Sequence, residues 1–255
     1  MNKKYTLWRF FKAEHYKTKR NLAVWIILLY PLLVTLLVSL YIYSRAGDFG
    51  VEKINYNPWI LLSGRYIFYT FYNIFPILTA ILCYSLFEIE YGQNNFRLIF
   101  TMPYKRWSIY ISKMLFLAEI ILLSVIVGYV SFLSSGYLLE RLIPVLTFSD
   151  YNIAPLCANY FLRLYIALLL VAFVQFFFNM KFKNFVVPIG ISCFMVILAM
   201  VAFNAKYGFL IPYFSVPNAA RDFMNSVTAF NRYDLTALIY IPVIFMVNYF
   251  TMRRL

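Results

Sequence analysis

Apolar residues in this chain collect into long blocks instead of alternating with polar ones. Six blocks reach, or nearly reach, the roughly 20 residues a helix needs to cross a hydrocarbon core. They are Leu22–Tyr43, Tyr66–Phe87, Trp107–Leu133, Tyr160–Met180, Phe185–Phe203 and Leu235–Phe250, the last being short. Pro31, Pro76 and Pro188 lie inside blocks and predict kinks. Residues 1–20 are patterned differently. At about 100° per residue, Leu7, Trp8, Phe11 and His15 share one face, while Arg9, Lys12 and Arg20 share the other. That predicts a helix lying in the membrane interface, either relaying motion to the first span or acting as a passive anchor. The segment does not read as a cleavable signal, because the apolar run behind it is too long and no small-residue cleavage site follows. With no internal repeat or low-complexity tract, residues 1–255 read as a single domain.

The polar interruptions orient the blocks. Basic residues crowd the N-terminus (Lys3, Lys4, Arg9, Lys12, Lys17, Lys19, Arg20), the second-to-third connection (Arg97, Lys105, Arg106, Lys113), the fourth-to-fifth turn (Lys181, Lys183) and the C-terminus (Arg253, Arg254). The positive-inside rule makes all of these cytoplasmic, both termini included. The outer connections are then about 44–65, 134–159 and 204–234. The last contains LIPYFSVPNAARDFMNS. It reads either as a half-inserted hairpin with a short helix, or as a surface loop with aromatic anchors; only the first needs other protein to cover its backbone.

Composition agrees with the blocks. The chain is 63% hydrophobic and 13% charged, against roughly 45–50% and about 25% in soluble domains. One soluble core cannot absorb that excess, so apolar surface must face lipid, and the 21% aromatic content suits such a surface. The net charge of +13 is spread between apolar blocks, which fits topology and anionic lipid better than nucleic acid. Cys83, Cys157 and Cys193 lack metal or redox spacing, and His15 is the only histidine. A metal site or a Ser-His-Asp triad is therefore not expected, and no catalytic residues are assigned.

One polar stretch joins the second and third blocks: EIEYGQNNFRLIFTMPYKRWSIYISK, Glu88 to Lys113. Glu88 and Glu90 close the second block, and Gly92 allows a break at little steric cost. Phe96, Ile99, Phe100 and Pro103 follow i, i+3, i+4, i+7 spacing, predicting a short amphipathic helix. Pro103 stops it, and Lys105 and Arg106 mark the membrane edge. This order resembles permeases of the type-2 family of ATP-binding-cassette (ABC) exporters. Members carry an acidic residue or pair, a glycine, a basic residue, a proline and further basic residues ahead of the third span. Here those positions are Glu88, Glu90, Gly92, Arg97, Pro103, Arg106 and Lys113. The layout and length of nearly the whole chain are similar to that family, and LIPYFSVP is similar to a stretch in its lantibiotic and peptide-immunity branch.

The resemblance implies an all-α polytopic membrane protein of six transmembrane helices, with an N-terminal interfacial helix and a cytoplasmic coupling helix between spans 2 and 3. It implies a bacterial cytoplasmic membrane location and a permease subunit exporting an amphipathic substrate, peptide or lipid-like. The chain has no Walker A sequence, so ATP and Mg would belong to a separate ABC ATPase, with no cofactor in this chain. Glu88, Glu90, Gly92, Phe96, Arg97, Ile99, Phe100, Pro103 and Arg106 would couple to that ATPase. A second permease copy, identical or different, would complete the path.

Three polar residues fall inside the blocks. Glu119 stands alone in FLAEIILLSVIVG, where an acid costs about 2.5–3.5 kcal/mol at mid-helix. It reads as a contact on the translocation path or dimer, or as a neutral or paired structural group, with Arg163 as a candidate partner. Gln175 and Asn179 share one helix face and suit the path or interhelical hydrogen bonds. The competing classes are an intramembrane enzyme and a structural membrane protein without a transport cycle.

Overall fold

The computed structural model describes residues 3–49, 57–63, 67–91, 106–182, 184–202 and 205–254. Their regular structure is helical throughout. The elements are α1 (Lys3–Thr18), α2 (Leu22–Ser44), α3 (Pro58–Leu62), α4 (Phe68–Tyr91), α5 (Arg106–Leu142), α6 (Ala154–Lys181), α7 (Val186–Val201), α8 (Ser215–Met224) and α9 (Arg232–Arg254). Short 3-10 turns occupy parts of the connections. Five helices, α2, α4, α5, α6 and α9, are long and apolar enough to cross a membrane. The block predicted as Phe185–Phe203 forms α7, whose 16 residues rise about 24 Å, short of a hydrocarbon core of roughly 30 Å.

Helix ends differ from block ends for a physical reason. Hydropathy reports contact with lipid, whereas a helix continues as long as its backbone bonds do. Thus α5 runs to Leu142 rather than Leu133, α6 starts at Ala154 rather than Tyr160, and α9 covers Arg232–Arg254 rather than Leu235–Phe250. At 37 residues, α5 is about 55 Å long and forms the spine of the molecule, with α1, α2 and α6 packed along it.

The α2–α5 contact sets the level of everything near it. Pro31 lacks an N–H, so the carbonyl of Ile27 has no partner within α2. The Ser124 hydroxyl of α5 donates to that carbonyl, a repair that matters where water is absent. One turn on, a Cβ added to Gly128 would lie 3.3 Å from the Cβ of Pro31 and 2.9 Å from Phe161. Glycine therefore lets three helices approach there. The pairs Ile27/Ser124 and Pro31/Gly128 share one offset, so the two helices run parallel. The same offset carries Leu22 to the level of Glu119 and Ser44 to that of Arg141. Between those levels α5 has no charged residue from Ile120 to Leu139, a rise of about 30 Å. Glu119 is thus level with the start of the first span, not at mid-span as its place in the 107–133 block predicted.

The described parts of the connections expected outside the membrane fold onto the bundle. Asn57 caps α3, its side chain accepting from the Trp59 N–H at 3.0 Å. Trp59 is fully buried, lies over Gly136 and donates its indole N–H to the Phe148 carbonyl at 3.0 Å. Phe68, Tyr160 and Phe223 stack nearby, joining α4, α6 and α8.

Candidate functional site

One end of the bundle collects the ends of several helices. Phe87 near the end of α4 and Tyr110 near the start of α5 both pack against Phe176 of α6. Arg106, the first residue of α5, donates to the Arg253 carbonyl of α9 at 2.7 Å. A cation at a helix C-terminus also meets the negative end of its dipole. Glu88 is exposed in the last turns of α4. Glu90 belongs to the same helix, but its side chain lies outside the described residues, as do Gly92, Phe96, Arg97, Ile99, Phe100 and Pro103. Of the residues expected to couple to an ATPase, the structure therefore brings Glu88 and Arg106 to one end of the bundle.

The N-terminal helix is held against α5 by two acid–base contacts. Lys113, only 1% exposed, reaches Glu14 at 3.2 Å, and Glu14 also meets Lys17 at 3.4 Å. His15 Nε2 lies 2.9 Å from Glu119 Oε2, with its ring edge-on to Phe11 of α1 and Phe116 of α5. Of the apolar face read from the sequence, Phe11 packs against the core and His15 against Phe116, but Trp8 is 57% exposed and the most buried described residues of α1 are Glu14 and Thr18. One expected pairing changes and a second pair was not singled out in the sequence. Glu119 pairs with His15 instead of Arg163, and the acid meeting Lys113 is Glu14. The sequence holds a signal for the second, since Glu14 is the only acidic residue in the basic N-terminal segment.

Arg163 serves the segment after α7. That segment makes two 3-10 turns, Gly208–Leu210 and Pro212–Phe214, and then α8. Most of α8 is buried among α6, α4 and α9. This is the folded-in hairpin with a short helix, not the surface loop. Two polar clusters hold it. At one, fully buried Arg163 meets Asp222 at 2.5 Å and Asp234 at 3.4 Å, and donates to the carbonyls of Thr228 (3.0 Å) and Ala229. Asn218 also donates to Asp222, at 3.2 Å. At the other, Gln175 donates to the Tyr213 hydroxyl, which donates to Ser192 of α7 at 3.4 Å. Arg163 and Gln175 lie about 18 Å apart along α6 at 1.5 Å per residue, so the segment follows much of that helix. Asp222 and Asp234 were not singled out in the sequence. The available signal was a lone arginine in an apolar block, which needs a nearby acid.

Gln175 thus bonds to a 3-10 turn of the segment after α7, whereas Asn179 donates to the Gln175 carbonyl of its own helix at 2.9 Å. Asn248 of α9 donates to the Phe173 carbonyl at 2.9 Å. Gln175 Oε1 and Asn248 Oδ1 are buried without a hydrogen-bond partner among the described residues. Cys83 and Cys157 are buried free thiols. Among the described residues, no group of three or more His, Cys, Asp or Glu is placed to hold a metal ion.

A family model described as ABC-2 family transporter protein matches residues 10–199. The chain belongs to the ABC-2 transporter family. No significant match was found among curated proteins or among solved structures. The match runs from α1 into α7, taking in the Glu14–Lys113 and His15–Glu119 contacts and the whole 88–113 stretch; α8 and α9 lie beyond it. As an ABC-2 family permease with five helices among the described residues long and apolar enough to cross a membrane, the protein is a multi-pass membrane transport protein.

Proposed function

We propose that this ABC-2 permease is the transmembrane subunit of an ATP-driven exporter that moves an amphipathic peptide or lipid-like substrate out of the bacterial cytoplasm or its membrane. A separate ABC ATPase supplies the energy, and a second permease copy completes the path. The observation that carries the reading is the family match combined with the gathering of the α4 end, the α5 start and the α9 end at one end of the bundle. The chain leaves that end after Tyr91 and returns at Arg106, and we assign the coupling role to residues 92–105 from the order of their sequence. The α1 helix is fastened close by through Glu14 and Lys113. A push on the element would reach both the long helix α5 and the interfacial helix α1.

In this reading α7 is the fifth of six spans, its short length complemented by the buried hairpin and α8. An even number of spans and the basic residues of the joined ends support cytoplasmic termini. Gln175, Asn179 and Glu119 are the polar groups we assign to the path or its flank.

The test is co-expression and co-purification with an ABC ATPase from the same genome, followed by ATP turnover in lipid nanodiscs. Wild type should hold the ATPase in a stable complex. The Glu88→Gln/Glu90→Gln variant should lower turnover of the reconstituted complex, and a cysteine placed at Arg97 should cross-link to the ATPase. A stable permease that never retains an ATPase, or a residue-97 cysteine reacting only from the outside, would overturn the proposal.

A further inference from the structure

Beside the His15–Glu119 contact, α1 stands away from α5 and α6 and leaves an open cleft of about 520 Å³. That size falls within the several-hundred-Å³ range of small-molecule sites, which are mostly apolar with a few placed polar groups. Trp8 and Phe11 of α1 and Leu115 and Leu122 of α5 form apolar walls. Two polar side chains reach the lining: Glu119 and Tyr165 of α6. Glu119 supplies the one negative charge. Its Oε2 faces His15, yet its side chain remains 35% exposed. A carboxylate has about four acceptor positions, so one imidazole contact does not saturate it. Lys12 sits 5.5 Å from the centre of the Trp8 ring, so one face of that ring is already taken by an ammonium and Trp8 serves the cleft as apolar wall.

The level of the cleft narrows the ligand further. Glu119 is level with Leu22, where the first span begins, so the carboxylate lies where polar and apolar surroundings meet. Leu122 lies one turn deeper and Phe11 on the facing helix. A molecule filling this space needs an apolar body along Leu122 and Phe11 and a positive charge at Glu119. An anion would face the carboxylate directly. A neutral lipid tail would fill the walls but leave Glu119 unused.

We propose that this cleft binds an amphipathic monocation of drug-like size, with Glu119 as counter-ion and Trp8, Phe11 and Leu122 as its apolar wall. Binding does not require that the cation be exported. The assignment therefore stands or falls apart from the ATPase-coupled transport reading.

The probe is radiolabelled tetraphenylphosphonium, with tetraphenylborate as a competitor of similar shape and opposite charge. The full chain is placed in zwitterionic-lipid nanodiscs, with empty nanodiscs as the blank. Saturable binding above the blank is expected, and tetraphenylborate should not displace it. Glu119→Gln should weaken binding by about tenfold, as loss of a partly desolvated counter-ion does. His15→Gln should bind at least as tightly as wild type, because the ligand then has the carboxylate to itself. Leu122→Trp fills the cleft while keeping the carboxylate in the chain and should abolish binding; it decides the matter should Glu119→Gln fail to fold. Equal losses in the Glu119 and His15 variants would make Glu119 only a fastening for α1. That result, unchanged binding in Leu122→Trp, displacement by tetraphenylborate, or no saturable binding would each overturn the proposal.

Discussion

Replacing Arg163 with leucine removes the cation around which the segment after α7 is organised. In the wild type the guanidinium serves Asp222, Asp234 and the carbonyls of Thr228 and Ala229, at 1% side-chain exposure. Leucine would leave two buried carboxylates within a few ångströms of each other and no cation between them. Removing one partner from a buried ion pair costs about 3–5 kcal/mol, largely through the charge left behind. For a chain of this size each kcal/mol moves the melting temperature by about 2–4 °C, so a drop of about 10 °C is expected. The leftover charge also predicts non-additivity: Arg163→Leu/Asp222→Leu should melt higher than Arg163→Leu alone. Arg163→Lys keeps the charge but not the planar fork and should fall between. The assay is thermal unfolding in detergent, followed by a thiol-reactive fluorophore on Cys83 and Cys157, both buried and free. Cys157 lies in the first turn of α6, close to the perturbed cluster. An Arg163→Leu protein melting within 2 °C of wild type, or strictly additive effects in the double variant, would refute an energetic role for this cluster.

Two further outcomes follow from the α5 contacts. Lys113→Met should loosen α1 from α5, because Glu14 is left buried without Lys113; hydrogen exchange across residues 7–18 should rise, and Glu14→Gln/Lys113→Met should recover part of the protection. Ser124→Ala should cost about 1 kcal/mol, the usual scale for a hydrogen bond between membrane helices; restoring the α2 N–H with Pro31→Ala in the same chain should cancel most of that loss in the same thiol-based melt.

Much of this architecture is legible along the chain. Long apolar blocks mark helices able to cross a membrane because the bilayer tests each segment separately: every backbone group must be satisfied within the helix. The periodicity of residues 1–20 likewise places Phe11 and His15 of α1 toward α5, although Glu14 and Thr18 are the described residues that helix buries most. Glu88, Gly92, Pro103 and Arg106 point to the ABC-2 family through local order alone, in agreement with the family match. Other features were not legible. Hydropathy assigned Glu119 to the middle of a block, but its level depends on how α5 lies against α2, which Pro31, Ser124 and Gly128 decide together. An arginine in an apolar block announces that it needs an acid without saying which.

The sequence by itself therefore determined the five described helices long and apolar enough to cross a membrane and the family they serve, because those properties follow from short stretches acting independently. The tertiary structure alone decided that Arg163 belongs to Asp222 and Asp234, that Glu119 belongs to His15, and that the segment after α7 folds inward. Charges in a low-dielectric interior choose partners by distance in space, and the chain brings together residues 59 and 99 positions apart only once its helices have packed.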